Sequence, residues 1–207
     1  MRKMFLSSSF AVVKDLFVKF SGGKHEGRRV TFIPTASLTE EVTFYVEAGK
    51  KALEGMGLIV DELEISTATN EEIENKIKSN DYIYTTGGNT FFLLQELKRT
   101  GADKIIIEQV NSGKVYVGES AGSIVLSRSI EYVKDMDDVA AAPNIGSLSS
   151  LGLVDFYPVP HYTNFPFTES VESIISCYEG KLELVPISNT QAIVVNDGQC
   201  EVWSSET

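Results

Sequence analysis

The chain is poor in the residues from which metal and redox centres are assembled. It has two cysteines, Cys177 and Cys200, and no C-x-x-C spacing. Neither a thiolate zinc site nor a dithiol pair is expected, and both thiols read as buried or spectator groups of a reducing compartment. Its two histidines, His25 and His161, are too few for zinc held by clustered His and Cys. No apolar run is long enough to span a bilayer, and the N-terminal MRKMFLSSSF passes straight into an amphipathic segment without a signal-peptide pattern. No G-x-G-x-x-G follows the first strand, which argues against a dinucleotide-binding module. Internal repeats, heptads and low-complexity tracts are lacking too. Basic residues are outnumbered, 18 Lys and Arg against 29 Asp and Glu, for a net charge of -11, so general attraction to nucleic acid or anionic lipid is not expected. No metal, organic cofactor, nucleic acid or membrane partner is called for, and cytoplasmic residence is the default expectation.

What is present is a composition suited to folding. The 207 residues are 43% hydrophobic and 23% charged, which fits one domain spanning 1–207 with a substantial core. Short β-rich runs at 3–8, 29–34, 58–65, 82–86 and 114–118 alternate with segments of helical spacing at 10–20, 40–54, 70–78, 91–98 and 102–112. RVTFIP at 29–34 has little outward polarity, as a strand covered on both faces should. A strand near 153–157, a helix over 168–178 and strands at 182–186, 192–195 and 201–203 follow, the last two joined by the turn signal Asn196–Asp197–Gly198. The order predicts an α/β fold. It is a three-layer arrangement, a parallel or mostly parallel sheet with helices on both faces and a local antiparallel addition at the end.

The strongest local motif is VYVGESAGS at 115–123. Gly118, Ser120 and Gly122 fill the three specified positions of G-x-S-x-G, after a strand and before an apolar segment, the context of a nucleophile elbow. Ser120 would then be a nucleophile, with the Ala121 N–H aimed at developing negative charge; the alternative is a serine that merely caps a helix. A second turn, TTGGNT at 85–90, also lies between a strand and a helix. Gly88 N–H is the candidate second oxyanion donor, against the alternative of an ordinary turn with an Asn/Thr cap. His161, in VPHYTNF, is the candidate base, since imidazole titrates near neutral pH. His25, beside Gly22, Gly23 and Gly27, reads as part of a solvent-exposed turn. Glu119 reads as solvent-facing or as a hydrogen-bond acceptor within the elbow, with recognition of a substrate amine as the functional alternative.

Taken in order, TTGGNTFFLL at 85–94, VYVGESAGSIVLS at 115–127, KDMD at 134–137 and VPHYTNF at 159–165 resemble the peptidase E (aspartyl dipeptidase) and cyanophycinase-like serine peptidase family, peptidase family S51. Its catalytic domain resembles class I glutamine amidotransferases. The resemblance implies a serine-type peptidase or dipeptidase acting on a short peptide or small amide. Ser120 would be nucleophile, His161 base, and Gly88 with Ala121 the oxyanion hole. Asp135 matches the family's acidic position and is the expected orienter of His161, with Asn189, in SNTQAIVV, as the alternative orienter. Members selective for an N-terminal aspartate resemble sites with an arginine in the helix after the histidine. FTESVESI at 167–174 offers Thr168 and Ser170 instead, so strict aspartyl specificity is not expected. Another small-amide hydrolase or acyl transferase, or an inactive binding protein on the same framework, are the competing readings.

Overall fold

The inner strands carry apolar residues on both faces, and the architecture supplies a separate core for each. A computed structural model describes residues 1–205. In chain order the elements are β1 (Lys3–Ser7), α1 (Phe10–Ser21), β2 (Arg29–Ile33), α2 (Phe44–Gly55), β3 (Ile59–Glu62), α3 (Asn70–Ser79), β4 (Tyr82–Thr85), α4 (Thr90–Thr100), α5 (Ala102–Asn111) and β5 (Val115–Glu119). There follow α6 (Ala121–Ile124), β6 (Tyr157–Val159), α7 (Thr168–Tyr178), β7 (Leu184–Pro186), β8 (Gln191–Asn196) and β9 (Gln199–Ser204). Seven strands form one sheet in the order β3-β2-β4-β5-β1-β8-β9. The first five are mutually parallel; β8 runs antiparallel to β1, and β9 antiparallel to β8. β6 and β7 pair separately in parallel.

Side chains alternate across the sheet. Phe5, Phe32, Tyr84 and Val117 join α1 and α2 in one core, where Phe32 stacks on Tyr84 at 5.1 Å and Phe5 meets Phe17 edge-on at 5.4 Å. Leu6, Ile33, Ile83 and Tyr116 face the opposite way, into the larger core with α3 to α7. The mixed α/β fold with helices on both faces is thus the observed one. The closing hairpin is as read, turning through Asp197 (φ 51°) and Gly198 (φ 89°), the left-handed pair that a tight two-residue turn requires.

Three local expectations need correction. The segment at 40–54 is not helical throughout: a 3-10 turn, Thr35–Thr39, precedes it, Glu40 is extended, and the helix starts only at Phe44. Residues 153–156 are not a strand, because the N–H groups of Leu153 and Val154 donate to Leu126 O, and strand geometry begins at Tyr157. His25 is not in a solvent-exposed turn. Its ring is buried, stacked on Phe17 at 5.3 Å and 2.9 Å from Ser21 Oγ, and desolvation with nearby Arg28 lowers its pKa. Nothing in the glycine-rich spacing announces that contact. Cys177 and Cys200 are exposed rather than buried.

Phe5 sits fully buried at the centre of the aromatic cluster formed with Phe10, Phe17 and Phe20. Phe5→Ala is expected to lower the unfolding free energy by about 3–5 kcal/mol, read from the urea midpoint at unchanged m-value.

Candidate active site

The C-terminal ends of β4 and β5 lie side by side, with Thr85 opposite Gly118, so the turns that follow them meet. At the second turn Ser120 takes φ 47° and ψ -108°, a conformation that costs a non-glycine residue free energy. The flanking glycines are required by contact. A Cβ on Gly118 would lie 2.6 Å from Gly122 O, and one on Gly122 would lie 2.2 Å from Thr85 O. Ser120 N–H donates to Ser7 O at 2.8 Å, and Ser123 Oγ both accepts from Ser7 N–H and donates to Ser7 O. The elbow is therefore fastened to β1 as well as to β5.

The first turn is equally constrained. Gly88 has φ 128°, and a Cβ there would fall 2.2 Å from Ala36 O. Asn89 caps α4 by accepting from Phe92 N–H, while its own N–H donates to Ala36 O. Among the described residues, neither the Gly88 N–H nor the Ala121 N–H donates to a protein acceptor.

His161 reaches the elbow from the loop after β6, also with positive φ (64°), its N–H donating to Ser8 Oγ at 3.0 Å. The ring stacks on Phe167 at 4.4 Å. Its Nε2 stands 3.0 Å from Ser120 Oγ and its Nδ1 2.8 Å from Asn189 Oδ1. Asn189 is held in turn by its N–H donating to Asn164 Oδ1 at 2.8 Å. Burial lowers the His161 pKa, and the hydrogen bond to Asn189 opposes that shift.

Ser120, His161 and Asn189 are thus brought together, with Gly88 and Ala121 beside them. Asp135 is not. Its Oδ2 accepts from Ser173 Oγ at 2.8 Å on an exposed surface, because the 3-10 turn Glu131–Val133 carries it to α7 instead of to the histidine. The expectation of Asp135 as orienter is corrected accordingly, and the contact falls to the alternative, Asn189.

These groups open on a cleft of about 470 Å³ whose walls include Glu40, Phe44, Asp137 and Phe165 and, among the described residues, no lysine or arginine. Phe44 and Phe165 are 76% and 92% exposed at its rim. Asp137 Oδ2 accepts from Thr90 N–H at 2.9 Å, yet burial raises its pKa to about 6. Glu119 is not solvent-facing. Its carboxylate is buried, Oε1 accepting from Phe10 N–H at 2.9 Å and Oε2 from Tyr84 O–H at 2.8 Å, and desolvation lifts its pKa to about 7 against those hydrogen bonds. Sequence reasoning missed the Ser8, Asn164 and Phe167 supports and the half-burial of Asp137 in the cleft wall, since each depends on long-range contact and none carries a spacing signal. Among the described residues no group of three His, Cys, Asp or Glu is placed to hold a metal, and no helix is long and apolar enough to cross a membrane.

Comparison with known proteins places this geometry in context. Residues 4–203 match the family model described as Peptidase family S51. An uncharacterized peptidase of Listeria monocytogenes is 54% identical over 195 residues, covering 94% of this chain and 95% of its own. A peptidase E of Shewanella amazonensis is 34% identical over 138 residues, 67% of this chain and 55% of its own. A 1.5 Å crystal structure of a Listeria monocytogenes protein provisionally named peptidase E superposes with TM-score 0.95 at 50% identity over the whole of both chains. A peptidase from an acI-B1 Actinobacterium shares the fold, with TM-score 0.72 at 21% identity over 99% of this chain and 88% of its own.

Folding raises the Asp137 pKa from 3.8 to about 6, so between those values the native state binds more protons than the unfolded chain. The stability this group contributes therefore falls as pH rises through that window. Asp137→Asn keeps an oxygen for Thr90 N–H and removes the titration. Its melting temperature relative to the parent is expected to climb as the pH is raised from about 4 to about 6. A difference independent of pH would show that Asp137 does not titrate there.

Proposed function

The chain belongs to peptidase family S51, and on that premise we propose that it is a serine-type peptidase hydrolysing short peptides through an acyl-enzyme intermediate. The observation that carries the proposal is the continuous relay from Ser120 Oγ through His161 to Asn189, with contacts of 3.0 and 2.8 Å at the wall of the cleft. With Asn189 Oδ1 accepting from Nδ1–H, the Nε2 lone pair faces the serine hydroxyl, and lowering of the imidazole pKa by burial keeps the ring neutral at pH 7. Ser120 Oγ attacks the peptide carbonyl as Nε2 takes its proton; the same proton then passes to the leaving amine, and water repeats the sequence on the ester. Gly88 and Ala121 N–H groups are the oxyanion donors in this reading, supported by their having no protein acceptor.

Asn189 supplies orientation and tautomer control but no negative charge, so the developing imidazolium is stabilised less than beside a carboxylate. A cleft without lysine or arginine has no fork for an acidic side chain, which fits Thr168 and Ser170 standing in the helix where an arginine would confer aspartyl selectivity. The substrates proposed are therefore short peptides without a required N-terminal aspartate.

Ser120→Ala is expected to stay folded while losing both fluorophosphonate labelling and turnover on a peptide library; retained labelling would remove Ser120 from the mechanism. Asn189→Ala should reduce kcat by roughly 10- to 1000-fold, in line with losing an imidazole orienter. Asp135→Asn should leave kcat within about twofold, as expected of an exposed residue away from the reacting atoms. The reverse ranking would restore the carboxylate as the orienting group.

A further inference from the structure

Glu119 is a buried ionisable group that the reaction described above does not use. Its carboxylate lies in a pocket with no neutralising cation. The titratable groups facing it are both tyrosines, Tyr84 from β4 at hydrogen-bond distance and Tyr45 from α2, whose own ionisation Glu119 opposes. The element α1 presents only its Phe10 N–H, and α2 also brings Gly49, where an added Cβ would lie 3.7 Å from Oε2. A buried carboxylate without a cation is a costly way to fill space, and an apolar side chain of similar volume would be cheaper. What the carboxylate provides is two strong acceptors placed where three segments converge. Oε1 holds the first turn of α1, Oε2 holds the strand that leads into the Gly87–Gly88 turn, and the Gly87 backbone N–H also favours its ionised form.

That convergence sits directly behind the proposed chemistry. Glu119 immediately precedes Ser120, and the Gly87 turn packs so tightly on the elbow that a Cβ on Gly87 would lie 3.2 Å from Ser120 Cβ. The carboxylate thus ties one oxyanion-donor turn to the nucleophile's own strand. We propose that ionised Glu119 is a positioning residue that holds the Gly87–Gly88 turn in register with the Ser120 elbow, so that the Gly88 and Ala121 amides converge on one oxygen. This inference rests on Ser120 being the nucleophile.

Ionised, the carboxylate accepts from both the Phe10 N–H and the Tyr84 O–H; once protonated, its hydroxyl can keep Tyr84 only by turning that phenol from donor to acceptor, and the charge-assisted contacts are lost. With its pKa lifted to about 7, that loss occurs as pH falls through neutrality, whereas burial holds His161 below the ordinary imidazole range, so that its neutral form is lost at lower pH. Two steps, the upper one belonging to Glu119, are therefore expected on the acidic side of the pH profile.

The test measures the rate of fluorophosphonate labelling between pH 5 and 9 for the parent chain, Ser120→Ala, Glu119→Gln and Tyr84→Phe. It needs no knowledge of the natural substrate. Labelling that survives in Ser120→Ala defeats the nucleophile assignment itself, whatever Glu119 does. With Ser120-dependent labelling established, Glu119→Gln is expected to react at least roughly tenfold more slowly at pH 8, the scale of a misplaced oxyanion donor, and to lose the step near 7 while keeping the His161 step. Tyr84→Phe removes one donor to the ionised form and should move the upper step to higher pH. A Glu119→Gln profile of unchanged shape, at any rate, overturns the proposal and leaves a structural residue. Should Glu119→Gln fail to fold, an upper step that stays in place in Tyr84→Phe overturns it equally.

Discussion

Backbone packed directly on backbone, at the neighbouring ends of β4 and β5, is the constraint from which the rest of the site follows. Gly122 lies against the Thr85 carbonyl and Gly118 against Gly122, distances at which any side chain would have to displace main chain. This close approach turns the chain abruptly after Glu119, forces Ser120 to positive φ and brings the Gly87 turn against it. The strain is sustained because the elbow is over-determined: Ser7 and Ser123 pin it to β1, and Tyr116 O–H reaches back to Gly122 O at 2.7 Å.

Much of this was legible in the sequence, for identifiable reasons. The alternation of apolar strands with helical segments gave the layers, because both periodicities are local and both faces of the sheet are buried. The elbow was legible because backbone contact admits only glycine at Gly118 and Gly122, leaving a spacing that no other residues can imitate. The hydrogen-bond partner of the His161 ring was not, since Asp135 and Asn189 are separated from the histidine by segments whose path depends on tertiary packing. A carboxylate in a charged run is as easily a surface group as a site group, and here it pairs with Ser173. His25 shows the same limit in reverse, a polar residue among glycines that packs inward because Phe17 offers its face.

The electrostatics of the cleft are one-sided. Glu40 and Asp137 both have raised pKa values through desolvation, and no cation lines the same walls. The exposed rings of Phe44 and Phe165 add an apolar border to this acidic interior, a combination hostile to anionic ligands on both counts.

The C-terminal hairpin has a consequence for how such a site comes into being. β8 docks against β1, the strand that anchors the elbow, and Asn189 stands just ahead of β8. Ser120 and His161 therefore precede in synthesis the segment that carries Asn189. A growing polypeptide emerging from the ribosome would hold the hydroxyl and the imidazole without the amide that meets the ring, and the three would come together only after the sheet had closed around β1.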